Sequence, residues 1–151
     1  MRIYLNTSAL SRPFDDLSST RVRLEAEAVV ALMEGVESGA LEWIGGDYLD
    51  FEVGQDPDRE RVQRLSRLLG LVARRVEMSE ALISRARELE KVGLRGLDAL
   101  HVASAEAGGA RLLITTDDRM IRNARRSPAP LLVRVVTPPE AAEILTTRKR
   151  Q

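Results

Sequence analysis

Four short apolar runs, at residues 2–5, 41–44, 111–115 and 132–136, alternate along the chain with segments whose apolar residues recur at helical spacing. A fifth, weaker run lies near 75–77. Strands separated by amphipathic helices pair in parallel through helical crossovers. The rhythm predicts an α/β fold: a three-layer α/β/α sandwich with a mainly parallel sheet and the first strand at its centre. Between residues 20 and 37 the stripe is Val22, Ala26, Val29, Met33 and Val36, with Ser19 as a cap and Gly39 after the end. A short helix is expected over 46–54, stopped by Asp56-Pro57-Asp58. Further helices are expected over 58–73, from Ser79 to just before Gly93, and over 97–107, 118–126 and 139–145.

At 151 residues the chain has the length of one domain with a real core. Residues 1–145 are read as that domain and 146–151 as a basic C-terminal tail holding Arg148, Lys149 and Arg150. Aromatic residues make up only 3%, so Leu, Val and Ala must fill the core. The absence of cysteine excludes a disulfide framework and thiolate metal sites. Basic and acidic residues balance at 23 each, which implies no strongly basic surface overall. No apolar run approaches membrane-span length and none resembles a secretory signal, so a cytoplasmic location is expected.

Chemistry in a parallel sheet gathers where the strands end. Asn6 follows the first strand, and Glu52 lies on the short helix after the second. Asp98 opens the helix of Leu97-Asp98-Ala99-Leu100-His101, and Asp117-Asp118 follows Leu112-Leu113-Ile114-Thr115. Each has a plain structural explanation. Asn6 and Asp117 suit helix N-caps, Asp98 suits the positive end of a helix dipole, and Glu52 suits an exposed helix face. Together they are expected to converge in one pocket at one edge. Carboxylates held that close need a counter-cation, and oxygen ligation suits Mg²⁺ or Mn²⁺. His101, the only histidine, lies one helical turn after Asp98. A packed core histidine is the expected role, with a ligand or proton shuttle as the alternative. Arg119, Arg122, Arg125 and Arg126 cluster after Asp117. They read as a solvated helix face, or, for Arg119 and Arg122, as phosphate contacts.

Four stretches in this order resemble the PIN-domain family, and in particular the VapC-type toxin ribonucleases. They are Ile3-Tyr4-Leu5-Asn6-Thr7-Ser8-Ala9-Leu10, Leu49-Asp50-Phe51-Glu52-Val53, Leu97-Asp98-Ala99-Leu100-His101 and Leu113-Ile114-Thr115-Thr116-Asp117-Asp118. The resemblance implies a metal-dependent endoribonuclease, the toxin of a type II toxin–antitoxin pair, with Mg²⁺ or Mn²⁺ as cofactor. It maps the catalytic and metal-binding positions to Asn6, Glu52, Asp98 and Asp117, with Asp118 as a lesser substitute for the last. Thr7 or Ser8 would orient the ligand at the end of the first strand. The implied partners are an RNA substrate, a small antitoxin protein that inserts a basic side chain among the acids, and a second copy in a homodimer.

Asn6 departs from the pattern, because the family has Asp there. An amide oxygen still ligates a cation, but it brings no charge and cannot act as a base. A degenerate natural member, a deliberate knock-out of a toxic enzyme and a working enzyme with a weaker metal site all fit. So does a non-catalytic PIN-like module that binds RNA or protein. Other readings lose an essential group. No nucleophile elbow surrounds Ser8, no Gly-rich fingerprint follows the first strand, and a phosphatase or phospho-receiver needs an acid at position 6.

Overall fold

The computed structural model describes residues 1–149. Five strands form the sheet: β1 (Arg2–Leu5), β2 (Glu42–Gly46), β3 (Arg74–Val76), β4 (Leu112–Ile114) and β5 (Arg134–Val136). Their order is β3-β2-β1-β4-β5, and every neighbouring pair is parallel. β1 is central, and Ile3, Tyr4 and Leu5 are completely buried in it. Ile3 pairs with Trp43 on one side and with Leu112 on the other.

Among the described residues, eight α-helices accompany the sheet: α1 (Thr7–Leu10), α2 (Thr20–Glu37), α3 (Asp47–Gly54), α4 (Arg59–Leu68), α5 (Glu80–Lys91), α6 (Gly96–Ala107), α7 (Asp118–Arg125) and α8 (Pro138–Lys149). The chain steps one way from β1 to β2 and the other way from β3 to β4. Right-handed crossovers therefore place α2 and the α5–α6 pair on opposite faces. α8 packs against α2, and α5 against α6, which completes a three-layer α/β/α sandwich. No helix among the described residues is long and apolar enough to cross a membrane.

The local signals act as their chemistry dictates. The Ser19 and Ser79 hydroxyls accept from the backbone N–H of Val22 and Leu82 and start α2 and α5. Gly93 follows α5 with φ +110°, a conformation that L side chains rarely adopt. Some boundaries differ from the sequence reading. The helix expected over 58–73 ends as α4 at Leu68 and gives way to a 3-10 turn over Leu69–Leu71. β5 is shorter than its apolar run, because Leu132 is 78% exposed and lies before the strand. Residues 146–149, expected as part of a basic tail, continue α8, where Arg148 and Lys149 suit the negative end of the helix dipole. Arg150 and Gln151 lie outside the described residues.

Gly46 ends β2 immediately before α3, the helix that carries Glu52. A Cβ there would sit 2.2 Å from the Val76 carbonyl oxygen, a backbone atom of the paired strand. Gly46→Ala must push β2 and β3 apart. It is expected to destabilise the fold by about 1–3 kcal/mol in urea denaturation, and unchanged stability would disprove so close an approach.

Candidate active site at the strand ends

β1 ends against both of its neighbours, and Asn6 is the first residue beyond it. Its backbone N–H donates to the Ile114 carbonyl at 3.1 Å, and its side chain caps α1. The Oδ1 atom accepts from the Ser8 hydroxyl at 2.8 Å and from the Ala9 N–H at 3.2 Å. The Nδ2 group donates to Thr115 Oγ1 at 2.8 Å and approaches Met120 Sδ at 3.6 Å. The amide is only 5% exposed and is occupied at both ends. Thr115 Oγ1 also accepts from the Asp117 N–H at 3.1 Å, so Asn6 and Asp117 share a brace.

Asp117 is the N-cap of α7. Its Oδ1 accepts from the backbone N–H of Arg119 and of Met120. Asp98 stands in the first turn of α6. No hydrogen bond or ion pair among the described residues reaches its carboxylate. Burial, then the charge of Asp117, raises the Asp98 pKa, and Glu52 adds a smaller push. Asp98 and Asp117 line one groove of about 670 Å³, together with Asp118, Arg95, Arg119, Arg122 and Leu97. Asp118 is held by Arg21 in a two-pronged ion pair at 2.6 and 2.9 Å. That pairing lowers its pKa and occupies its charge.

Glu52 is set behind this groove in a network of its own. Its Oε1 accepts from the Thr7 hydroxyl and from His101 Nε2, the latter at 2.9 Å. Its Oε2 accepts from the Tyr48 hydroxyl at 2.9 Å. Burial alone would raise its pKa, but the His101 contact, followed by Thr7 and Tyr48, brings it down to about 2. The Tyr48 pKa is raised by burial and by the charge of Glu52.

The four sequence candidates thus share the edge of the sheet but not one cavity. Asp98 and Asp117 line the groove; Asn6, which is buried, and Glu52 do not. Thr7 and Ser8 both orient acids or their substitute, Thr7 through Glu52 and Ser8 through Asn6. His101 is 2% exposed and bonded through both ring nitrogens, the packed histidine that was expected, but its acid partner is Glu52 rather than Asp98. The sequence reading missed Tyr4, Tyr48 and Arg95. Tyr48 was visible in principle, one helical turn before Glu52. Tyr4 was hidden inside an apolar strand.

Among the described residues no three His, Asp or Glu side chains gather closely enough to cage a metal. The donor set fits a looser mode. Asp98, which is unpaired, and the free oxygen of Asp117 suit a Mg²⁺ or Mn²⁺ ion held by two carboxylates and water.

These features describe an α/β domain with a groove of mixed charge, holding Asp98 and Asp117, at the carboxyl ends of a parallel sheet. The PIN-domain family profile matches residues 3–126, and the chain belongs to that family. Two solved structures share the fold. One is VapBC2 from Rickettsia felis, determined bound to a DNA fragment from its promoter. It is 15% identical, with a TM-score of 0.56, and the match covers 91% of this chain and 98% of that one. The other is PAE2754 from Pyrobaculum aerophilum, 17% identical with a TM-score of 0.57, over 97% of this chain and 99% of that one. No curated protein matches the chain.

The two half-buried acids have opposite effects on stability. The Glu52 pKa is lowered from 4.5 to about 2, so its contribution is present above pH 4.5 and is lost as pH falls towards 2. The Asp98 pKa is raised above 3.8, so its contribution is present below 3.8 and is lost as pH rises through the folded value. At pH 7, Glu52→Gln is expected to cost about 1–3 kcal/mol, because three donors lose their anionic acceptor. Asp98→Asn is expected to stabilise by up to about 1 kcal/mol. Thermal denaturation at pH 7 and pH 4 measures both, and effects of the same sign at pH 7 would contradict this division.

Proposed function

We propose that this chain is a metal-dependent endoribonuclease of the VapC toxin type, with an active site weakened by Asn6. The observation that carries the reading is the groove in which Asp98 and Asp117 are flanked by Arg95, Arg119 and Arg122. Acids and guanidinium groups lining one groove suit a phosphodiester backbone whose scissile phosphate meets a cation. Asp98 and Asp117 would hold Mg²⁺ or Mn²⁺, and Glu52 would act on it through water. Bound there, the ion supplies Lewis-acid polarisation of the phosphate and a more acidic water. Asp98 orients the attacking water, and Arg119 and Arg122 hold the neighbouring phosphates. An aspartate in place of Asn6 would add a fourth acid from the end of the first strand. Here the site is one charge short, in a partly desolvated place where charge counts for more than in water.

Family membership and the likeness to VapBC2 support the remaining assignments. The RNA substrate is cleaved in the cytoplasm. A small antitoxin masks the groove and places a basic side chain between the acids, replacing the cation's charge. Two copies pair as a homodimer.

A second reading, a non-catalytic RNA- or protein-binding module, is favoured by the occupied amide of Asn6. Met120 sulfur is only an acceptor, so it suits the Asn6 NH₂ group and offers nothing to a carboxylate oxygen.

Asn6→Asp separates the two. On the nuclease reading it raises Mn²⁺-dependent cleavage of RNA by about 10-fold or more. The assay compares both proteins on structured and single-stranded RNA across a Mn²⁺ titration. Asp98→Ala and Glu52→Ala, each combined with Asn6→Asp, control for contaminating nuclease. An inert Asn6→Asp protein that still binds RNA or a partner as tightly as the parent establishes the binding module. A fully active parent, unchanged by Asn6→Asp, removes the charge argument.

A further inference from the structure

Behind the groove lies a buried chain of hydrogen bonds that the acid site does not itself require. Tyr4, completely buried in the central strand, meets His101 Nδ1 at 2.7 Å. The opposite ring nitrogen, Nε2, meets Glu52 Oε1 at 2.9 Å. The Tyr4 and Tyr48 rings pack edge-on against the imidazole, with centroids 5.7 and 4.8 Å away. The ring has one orientation available and one acid partner.

Chemistry sets the direction of each bond. An ionised carboxylate only accepts, so Nε2 must carry a proton and donate to Glu52. In the neutral ring, Nδ1 is then an acceptor, and the Tyr4 hydroxyl donates to it. Tyr4 thereby selects the tautomer that His101 needs to hold Glu52. Thr7 and Tyr48 secure the same carboxylate from α1 and from one turn earlier on α3. Glu52 is consequently clamped from α1, from α6 and from its own helix, α3.

We propose that His101 is a positioning residue: with its tautomer set by Tyr4, it fixes the Glu52 carboxylate so that Glu52 can orient water at the Asp98–Asp117 groove. The proposal rests on the nuclease reading for its consequence, but not for its geometry. Asp98 stands one turn before His101 on α6, so the His101 bond holds Glu52 beside an acid of the groove, although Glu52 does not line the groove itself. It is therefore placed to act through water. Carboxylate–histidine pairs that orient groups around metal sites work in the same way, and losing the outer partner commonly costs about 10–100-fold in metal affinity.

Two measurements test it. In metal-free protein, imidazole ¹⁵N NMR of the neutral ring is expected to place its proton on Nε2. Glu52→Gln is expected to release the ring into a mixture of tautomers. A proton on Nδ1, or a tautomer indifferent to Glu52→Gln, overturns the proposal whether or not the protein binds metal. The second measurement is Mn²⁺ affinity by electron paramagnetic resonance, with thermal melting to establish folding. His101→Leu removes donor and acceptor together and is expected to weaken binding by about 10-fold. His101→Gln offers an N–H towards Glu52 and a carbonyl towards Tyr4, and is expected to stay within about 3-fold of the parent. Equal losses in both folded variants, or no loss in either, overturn the proposal. If His101→Leu does not fold, His101→Gln and the NMR result decide. A parent that binds no Mn²⁺ counts against the nuclease reading, and the tautomer result then decides the geometry alone.

Discussion

Most of this structure follows from the burial of β1. The strand has a paired neighbour on both sides and helices over both faces, and Ile3, Tyr4 and Leu5 have no exposed surface. A strand in that position must be apolar, and whatever follows it emerges into the crowded ends of β2 and β4. The backbone there cannot rely on water. Asn6, Ser8, Thr115 and the Asp117 N–H therefore satisfy one another. The same braces orient the residues beside them, so the hydrogen bonds that close the core also build the wall of the site.

The acids divide into two kinds. Glu52 is surrounded by donors and remains an anion far below neutral pH. Asp98 has no donor among the described residues, and burial, then the charge of Asp117, raises its pKa. Stability and chemistry are distributed accordingly: one carboxylate is part of the framework, and the other is a reservoir of unrelieved charge that a cation or a guanidinium group would relieve. Asn6 belongs with the framework. Its amide oxygen serves Ser8 and Ala9, its NH₂ serves Thr115 and Met120, and nothing in that arrangement calls for a charge.

Charge is also kept in order around the groove. Asp118, next in sequence to Asp117, is neutralised by Arg21 from α2. Glu25, 3% exposed on the same helix, is held by Arg12 at 2.8 Å. These pairs leave Arg95, Arg119 and Arg122 at the rim beside the acids. A balanced formal charge over the whole chain thus conceals strong local separation at this edge.

The fold class was legible in the sequence because it depends on periodicity. Short apolar runs alternating with helical stripes admit few solutions, and Ser19, Ser79 and the glycines after the helices mark ends by local backbone chemistry alone. Boundaries drifted where tertiary packing outweighed pattern, as at Leu132, apolar but left outside β5, and at 69–71, where the helical stripe tightened into a 3-10 turn. The order of Asn6, Glu52, Asp98 and Asp117 placed all four at one edge of the sheet, because parallel strands bring their ends together whatever the loops contain. Which acids face the groove was decided only by the folded chain. Glu52 is fixed where it stands because Thr7, Tyr48 and His101, lying 45, 4 and 49 residues from it along the chain, donate to one carboxylate. The bonds from Thr7 and His101 span too many residues to leave a periodic trace in a sequence, and they form only after the hydrophobic core has brought their partners into reach.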